Sequence, residues 1–311
     1  MSETNETNIA SNELSARSAG KTDPGRKRAQ NQDSYYINDP SGLWIVADGM
    51  GGHQGGEIAS AIVCESLPLR LADGDSLHEA FYHTQHKVIE RGVEQPELKG
   101  LGSTVVVVRE QSDTQYEICW AGDSRIYRWR SGALEQISED HSVVQRLLKS
   151  GVITPEQAIN HPQQHVISSC IGTTSSEGLE IGHAVVNWQR GDWLLLCSDG
   201  LTDEITDEGI ASILRRHTDL DSACDELVQT ALDNGGRDNV SVVLVVAPES
   251  APESAPQDAS LQGSKVGDRP VASGSENASS FGSGIHPAAW GAIGSIIALG
   301  ILLVIKYFKQ D

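Results

Sequence analysis

The residues best equipped for chemistry are five aspartates, four of them beside glycine, asparagine or arginine. Five islands carry them: Arg28-Ala29-Gln30-Asn31-Gln32-Asp33, Val46-Ala47-Asp48-Gly49-Met50-Gly51-Gly52-His53, Ala121-Gly122-Asp123-Ser124-Arg125, Cys197-Ser198-Asp199-Gly200 and Gly236-Arg237-Asp238-Asn239-Val240. Taken singly each is an ordinary turn, because Asp-Gly and Asp-Asn favour hairpins and caps. Their joint placement says more. Asp48 and Asp199 each follow an apolar run, LWIVA and DWLLLCS, and strand ends are rigid places from which to project carboxylates. Asp238 precedes an apolar run, so an antiparallel neighbour would bring it to the same edge. Converging carboxylates repel one another and are costly to bury unpaired. A divalent cation resolves the conflict, and all-oxygen donors select hard ions such as Mg2+ or Mn2+. Two such ions about 3.5–4 Å apart would acidify a bridging water and present hydroxide to phosphorus. An arginine would grip the phosphate bidentately, and Arg28 is the candidate. Its plain alternative is a surface charge among Arg26, Lys27 and Arg28.

The elements that must position these groups follow from periodicity and turn signals. Apolar runs predict strands at Leu43 to Asp48, Ser103 to Val108, Tyr116 to Ala121, Ile126 to Trp129, Trp193 to Cys197 and Val240 to Val246. Helical patterns run from Glu57 to Leu67, stopping near Pro68, and from Ser76 to about Gly92, where Ser76 and Glu79 form a capping box. Two more run from Glu208 to Arg216 and from Ser222 to Leu232. Strands in series across 101–138, without intervening helices, favour antiparallel sheets with helices outside them.

Composition divides the chain. Residues 1–14 are polar and aperiodic, as expected of a disordered tail. Residues 15–247 read as the globular part, and 248–286 as a flexible linker rich in Pro, Ser and Gly. Residues 287–305 hold no charge, and Trp290 and Tyr307 sit at the two ends; a transmembrane helix is expected there, followed by a short tail, 306–311. Lys306 and Lys309 would favour a cytoplasmic C-terminus by the positive-inside rule. Against that, residues 1–20 lack a signal sequence and the acidic domain carries five cysteines without a C-x-x-C pair, which suits the cytosol. The expectation is a single-pass tail anchor in the cell inner membrane, with the catalytic domain in the cytoplasm. A net charge of -20 argues against nucleic acid as a partner.

The islands, in this order, resemble the metal-dependent serine/threonine protein phosphatases of type 2C, in their compact bacterial branch. Gly102-Ser103-Thr104 and Gly191-Asp192 fit the same pattern. The resemblance covers residues 15–247 and implies an α+β fold, an αββα sandwich of two antiparallel β-sheets flanked by helix pairs. It implies that Asp48 bridges two metals, that the Gly49 carbonyl binds one of them, and that Asp199 and Asp238 complete the centre. Asp123, with Asp199, matches the position of a third, weaker metal, so two or three Mn2+ or Mg2+ ions are expected. Asp33 and Asn239 would lie in or beside the metal shell, and Arg28 would bind the substrate phosphate. Animal relatives place a His directly after Asp-Gly, where this chain has Met50; His53, three residues on, is the candidate proton donor. Residues 141–172 resemble the family's mobile flap, in which Gln164 replaces a residue often basic in bacterial members. The implied activity is hydrolysis of phosphoserine and phosphothreonine in proteins, reversing a cognate serine/threonine kinase at the membrane.

Other chemistries fit less well. DGMGGHQGG, between a strand and a helix, could cradle a nucleotide, but it matches neither the P-loop nor the G-x-G-x-x-G spacing. His161 and His165 are poorly spaced for zinc, with Pro162 disfavouring a helix. A pseudophosphatase acting as a binding module should have lost a metal ligand, and the expected aspartates are all present.

Overall fold

A computed structural model describes residues 18–51, 55–159, 161–172 and 178–253. His53, the N-terminal tail, the linker beyond residue 253 and the apolar stretch 287–305 lie outside them. Among the described residues no helix is long and apolar enough to cross a membrane.

The strands are β1 Ser18–Asp23, β2 Asp33–Asn38, β3 Leu43–Met50, β4 Gly102–Ser103, β5 Val105–Ser112, β6 Gln115–Ala121, β7 Arg125–Arg130, β8 Ala133–Gln136, β9 Gly182–Asn187, β10 Trp193–Cys197 and β11 Val240–Val246. They form two antiparallel sheets, ordered β1-β11-β10-β7-β8 and β2-β3-β5-β6-β9, with β4 paired to β3. The helices are α1 Gly55–Ala72, α2 Leu77–Glu94, α3 Val143–Lys149, α4 Pro155–Ala158, α5 Asp199–Thr202, α6 Asp207–Arg216 and α7 Leu220–Asn234.

Three buried clusters fix the layering. Leu43, Ile45, Val105 and Val107 pack on Val63, Leu67, Phe81 and Val88 of α1 and α2. Leu195, Val242 and Leu244 pack on Ile210, Leu214, Leu227 and Val228 of α6 and α7. Trp44, Val46, Ile118, Leu194, Leu196 and Val243 fill the space between the sheets. Alternate residues of one strand thus serve different cores, as a period of two requires. This makes every central strand nearly continuously apolar and therefore legible as a strand.

The structure departs from the sequence expectations in several places; among them, the strand expected over 103–108 is split into β4 and β5, and α3, α4 and α5 are additional helices. Helix α1 continues through Pro68 to Ala72. Proline forfeits one intrahelical hydrogen bond, but α1 packs along β3 and α2, and tertiary burial outweighs that loss. Helix α7 starts at Leu220, because Asp219 accepts from Ser222 N at 2.9 Å and caps it. β1, β2, β8 and β9 are additional strands; their residues are mostly half-buried or exposed, so they lack an apolar run. The linker begins later than 248: Ala251 is fully buried and Arg190 N donates to Pro252 O at 2.9 Å, so 248–253 packs on the domain. Helix α2 does carry the Ser76–Glu79 capping box, with both reciprocal bonds formed.

Candidate metal centre

Trp44 and Val46 point between the sheets. Asp48 continues that series and emerges at the mouth of the gap. Asp33 stands directly opposite it, paired in register across β2 and β3, so the two carboxyls share one face. The Asp33 carboxylate accepts from Ser198 Oγ at 2.8 Å. Ser198 Oγ in turn accepts from Ser241 N at 3.0 Å. One serine thereby ties β2, at the edge of the second sheet, to β10 and β11 of the first. Asp199 opens α5 on the next residue, and Asp238 sits just before β11.

The Gly102-Ser103-Thr104 motif acts on Asp48 through its backbone. Thr104 N donates to Asp48 O at 2.8 Å, Asp48 N donates to Thr104 Oγ1 at 3.1 Å, and Ser103 Oγ donates to Asp48 O at 3.1 Å. Thr104 Oγ1 also bonds Ser124 Oγ at 2.7 Å, beside Asp123 in the β6–β7 turn. The motif thus holds two of the aspartates in fixed relation.

Close backbone packing explains the glycines after Asp48 and Asp199. A Cβ on Gly49 would lie 2.0 Å from Gly56 O, and one on Gly200 would lie 1.9 Å from Asn239 O. Only glycine permits those approaches. Met50 Sδ lies 3.5 Å from Cys170 Sγ, at the end of the flap.

Buried Asn239 clamps the loop that carries Arg28. Its Oδ1 accepts from Gln32 N at 2.8 Å, and its Nδ2 donates to Pro24 O and Gln30 O, each at 2.9 Å. Arg28 Nη2 donates to Asp238 Oδ2 at 2.6 Å, and its side chain is 54% exposed. Asn239→Ala leaves three backbone groups unpaired, so a loss of about 2–3 kcal/mol in urea unfolding is expected. A raised KM should accompany it as the Arg28 loop loosens; unchanged stability and KM would remove the clamp from the argument.

The carboxyls are held in unfavourable surroundings. Burial pushes Asp33 up to about 6, against the hydrogen bonds from Ser241 and Ser198. Burial, then the charge of Asp140, pushes Asp123 up to about 7. Asp48 is driven well above the carboxylate range by burial and then by Asp33, Asp199 and Asp123. Asp199 is driven up by burial and then by Asp123, Asp203, Asp238 and Asp33. Asp33 Oδ1, Asp123 Oδ1 and Asp199 Oδ1 are buried without a hydrogen-bond partner. Clustered, unsatisfied carboxylate oxygens of this kind fit hard multivalent cations and fit no ordinary protein partner.

A cleft of about 490 Å3 opens beside the centre, between Asp123, Asp199 and Asp203 on one side and the flap residues Val144, Leu148 and His165 on the other. The flap base is anchored: His141 N donates to Gly122 O at 2.8 Å, and Ser103 and Ile171 exchange backbone bonds of 2.9 Å. Arg125 grips Asp140 bidentately, at 3.0 and 2.7 Å, and bonds Tyr127 Oη at 3.1 Å, so its charge is already engaged.

Asp203 and His165 were not among the sequence-predicted site residues. The i+4 spacing of Asp203 from Asp199 is a signal for one helical face. Nothing local marks His165, which joins these aspartates and not His161.

The Protein phosphatase 2C family model matches residues 25–244. The chain belongs to that family. It is similar to the serine/threonine phosphatase stp of Listeria monocytogenes, 33% identical over 238 residues, covering 72% of this chain and 93% of the relative. It is similar in structure to the Mycobacterium tuberculosis serine/threonine phosphatase PstP/Ppp, with a TM-score of 0.69 and 34% identity over 76% of this chain and 100% of that one. A catalytic domain of PstP in complex with two manganese ions matches with a TM-score of 0.66 and 33% identity, over 75% of this chain and 98% of that one. This chain is accordingly a serine/threonine protein phosphatase of the bacterial type, metal-dependent by family, with two antiparallel sheets and flanking helices.

Proposed function

We propose that this phosphatase hydrolyses phosphoserine and phosphothreonine in proteins at the cytoplasmic face of a membrane, opposing a serine/threonine kinase. The observation that carries the chemistry is the convergence of buried, unpartnered oxygens from Asp33, Asp123 and Asp199 beside Asp48. Asp33, Asp48, Asp123, Asp199, Asp238 and the Gly49 carbonyl would hold two or three Mn2+ or Mg2+ ions. When bound, such ions acidify water and neutralise phosphate charge.

The chain's own residues supply the rest. Asp238 orients the Arg28 guanidinium and leaves other N–H groups of its fork free to meet phosphate oxygens. Arg28→Ala is expected to raise KM for a phosphothreonine peptide about 10- to 100-fold, the value of one charge-assisted contact. Asn239 and the Thr104–Ser124 pair keep the loops in register. His53 would protonate the leaving alkoxide, and His53→Ala should then flatten one limb of the pH–rate profile. An unchanged profile would remove it from the mechanism.

Membrane placement is supported by the uncharged stretch 287–305, its end aromatics and the polar linker before it. The 33 residues 254–286 reach roughly 29–34 Å as a flexible linker. On sealed inside-out vesicles the catalytic domain should be digested by added protease; its survival would sink the topology. The activity is tested by Mn2+-dependent hydrolysis of p-nitrophenyl phosphate and a phosphothreonine peptide. Metal-loaded protein that hydrolyses neither would defeat the enzyme reading in favour of a binding module.

A further inference from the structure

We propose that His165 of the flap is a ligand to a cation held by Asp199 and Asp203, so that this ion clasps the flap across the cleft. The inference rests on the metal-dependent reading above and deepens it. One ring nitrogen of His165 and one carboxylate oxygen each of Asp199 and Asp203 lie within 4.8 Å of one another. Asp203, which caps the C-terminus of α5, donates its N–H to Asp199 O at 2.8 Å, which stacks the two aspartates one turn apart on one side of the chain. Two further observations point to a cation there. Asp199 Oδ1 is buried and unpartnered, and Asp123, only 8% exposed and lining the same cleft, also has an unpartnered Oδ1.

His165 is held for the task. Val143 N donates to Val166 O at 2.9 Å, and Ser142 bridges Ile167, so the returning arm of the flap is fixed directly after it. Gln164 N donates to His161 O at 3.0 Å and closes the turn just before it. His165 Nδ1 faces Asp203 Oδ2 at 3.4 Å, and Nε2 lies 2.7 Å from the Gln164 amide. With Nδ1 ligating, Nε2 carries the proton, and the Gln164 amide oxygen accepts it once the amide is turned over. An outer hydrogen bond of this kind fixes the tautomer of a ligating imidazole. Mixed imidazole and carboxylate donors favour Mn2+ over Mg2+, which prefers oxygen and keeps its waters. The competing role for His165 is a simple ion pair with Asp203.

The test is Mn2+ titration of the full chain, counting free ion by electron paramagnetic resonance, for the wild type, His165→Ala and His165→Asp. The wild type should bind a tight pair and one weaker ion whose spin echo shows imidazole nitrogen modulation. His165→Ala should weaken the third ion at least about tenfold and lose the modulation. His165→Asp should restore binding without modulation. Saturating Mn2+ should protect the flap from limited proteolysis in the wild type and not in His165→Ala, and Mg2+ should protect less. A tight pair in the wild type with third-ion affinity and modulation unchanged in His165→Ala overturns the clasp alone. A wild type that binds no Mn2+ overturns the metal reading and the clasp together.

Discussion

Asp48→Asn is expected to lower hydrolysis of a phosphothreonine peptide by at least about 10^3-fold at saturating Mn2+. Metal ions supply several kcal/mol of charge stabilisation, and each 1.36 kcal/mol is tenfold in rate. Asp48 lies at the centre of the cluster, raised by the charges of Asp33, Asp199 and Asp123 after burial itself. The same crowding predicts an opposite effect on stability. In EDTA the variant should melt no lower than the wild type at pH 8, because an unfavourable buried charge has been removed. Activity within tenfold of wild type would contradict the metal role, and a large loss of stability in EDTA would mark Asp48 as structural instead.

The pH dependence follows from the same groups. Asp33 and Asp123 have native values of about 6 and about 7, above the ordinary 3.8. The native state therefore binds more protons than the unfolded state between about pH 4 and 7. A raised value contributes stability that is complete below 4 and is lost as pH rises through 6 and 7. Cations compete with those protons, so the gap between melting midpoints in Mn2+ and in EDTA should widen across this window. A gap that stays flat from pH 5 to 8 would mean that these carboxyls do not hold the ion.

Asp192→Ala is expected to destabilise the domain by about 3 kcal/mol while leaving the metal centre intact. Asp192, only 1% exposed, accepts from Arg130 Nε at 2.6 Å and Nη2 at 2.5 Å, and from Gln189 N at 2.9 Å. Its carbonyl accepts from Ala247 N at 2.9 Å, so one residue joins β7, the turn before β10 and the end of β11. Removing one partner of a buried pair strands the other charge, which costs about 3–5 kcal/mol; Arg130 keeps some water contact, which favours the lower figure. For a domain of this size the melting midpoint should fall by roughly 6–12 °C. Mn2+ affinity measured well below the transition should stay within about twofold of wild type. A midpoint within 2 °C of wild type would show that the pair contributes little. A lost metal site would show that Asp192 acts on the chemistry. Its position in the Gly191-Asp192 motif is thus explained by packing.

The chemistry on offer and the central scaffold are legible in the order of the amino acids. Asp48 lies near the end of β3, and Asp199 and Asp238 adjoin β10 and β11; the strands are buried on both faces, and a strand buried on both faces must be written as an unbroken apolar run. The glycines after Asp48 and Asp199 were visible too, although their reason, contact with Gly56 and Asn239, was not. Tertiary structure alone decided what those residues face. Asp33 begins β2, whose half-buried residues show no alternation, and only pairing in register sets it opposite Asp48. Backbone hydrogen bonds build β1 and β2 whatever the side chains are, so they leave little trace in composition. His165 and Asp203 belong to segments 38 residues apart in sequence, and their meeting depends on how the flap folds back across α5. The carboxylates therefore announced a metal-dependent hydrolase, and the packing of two sheets and a flap decided which of them share a site, what orients Arg28, and where an imidazole joins them.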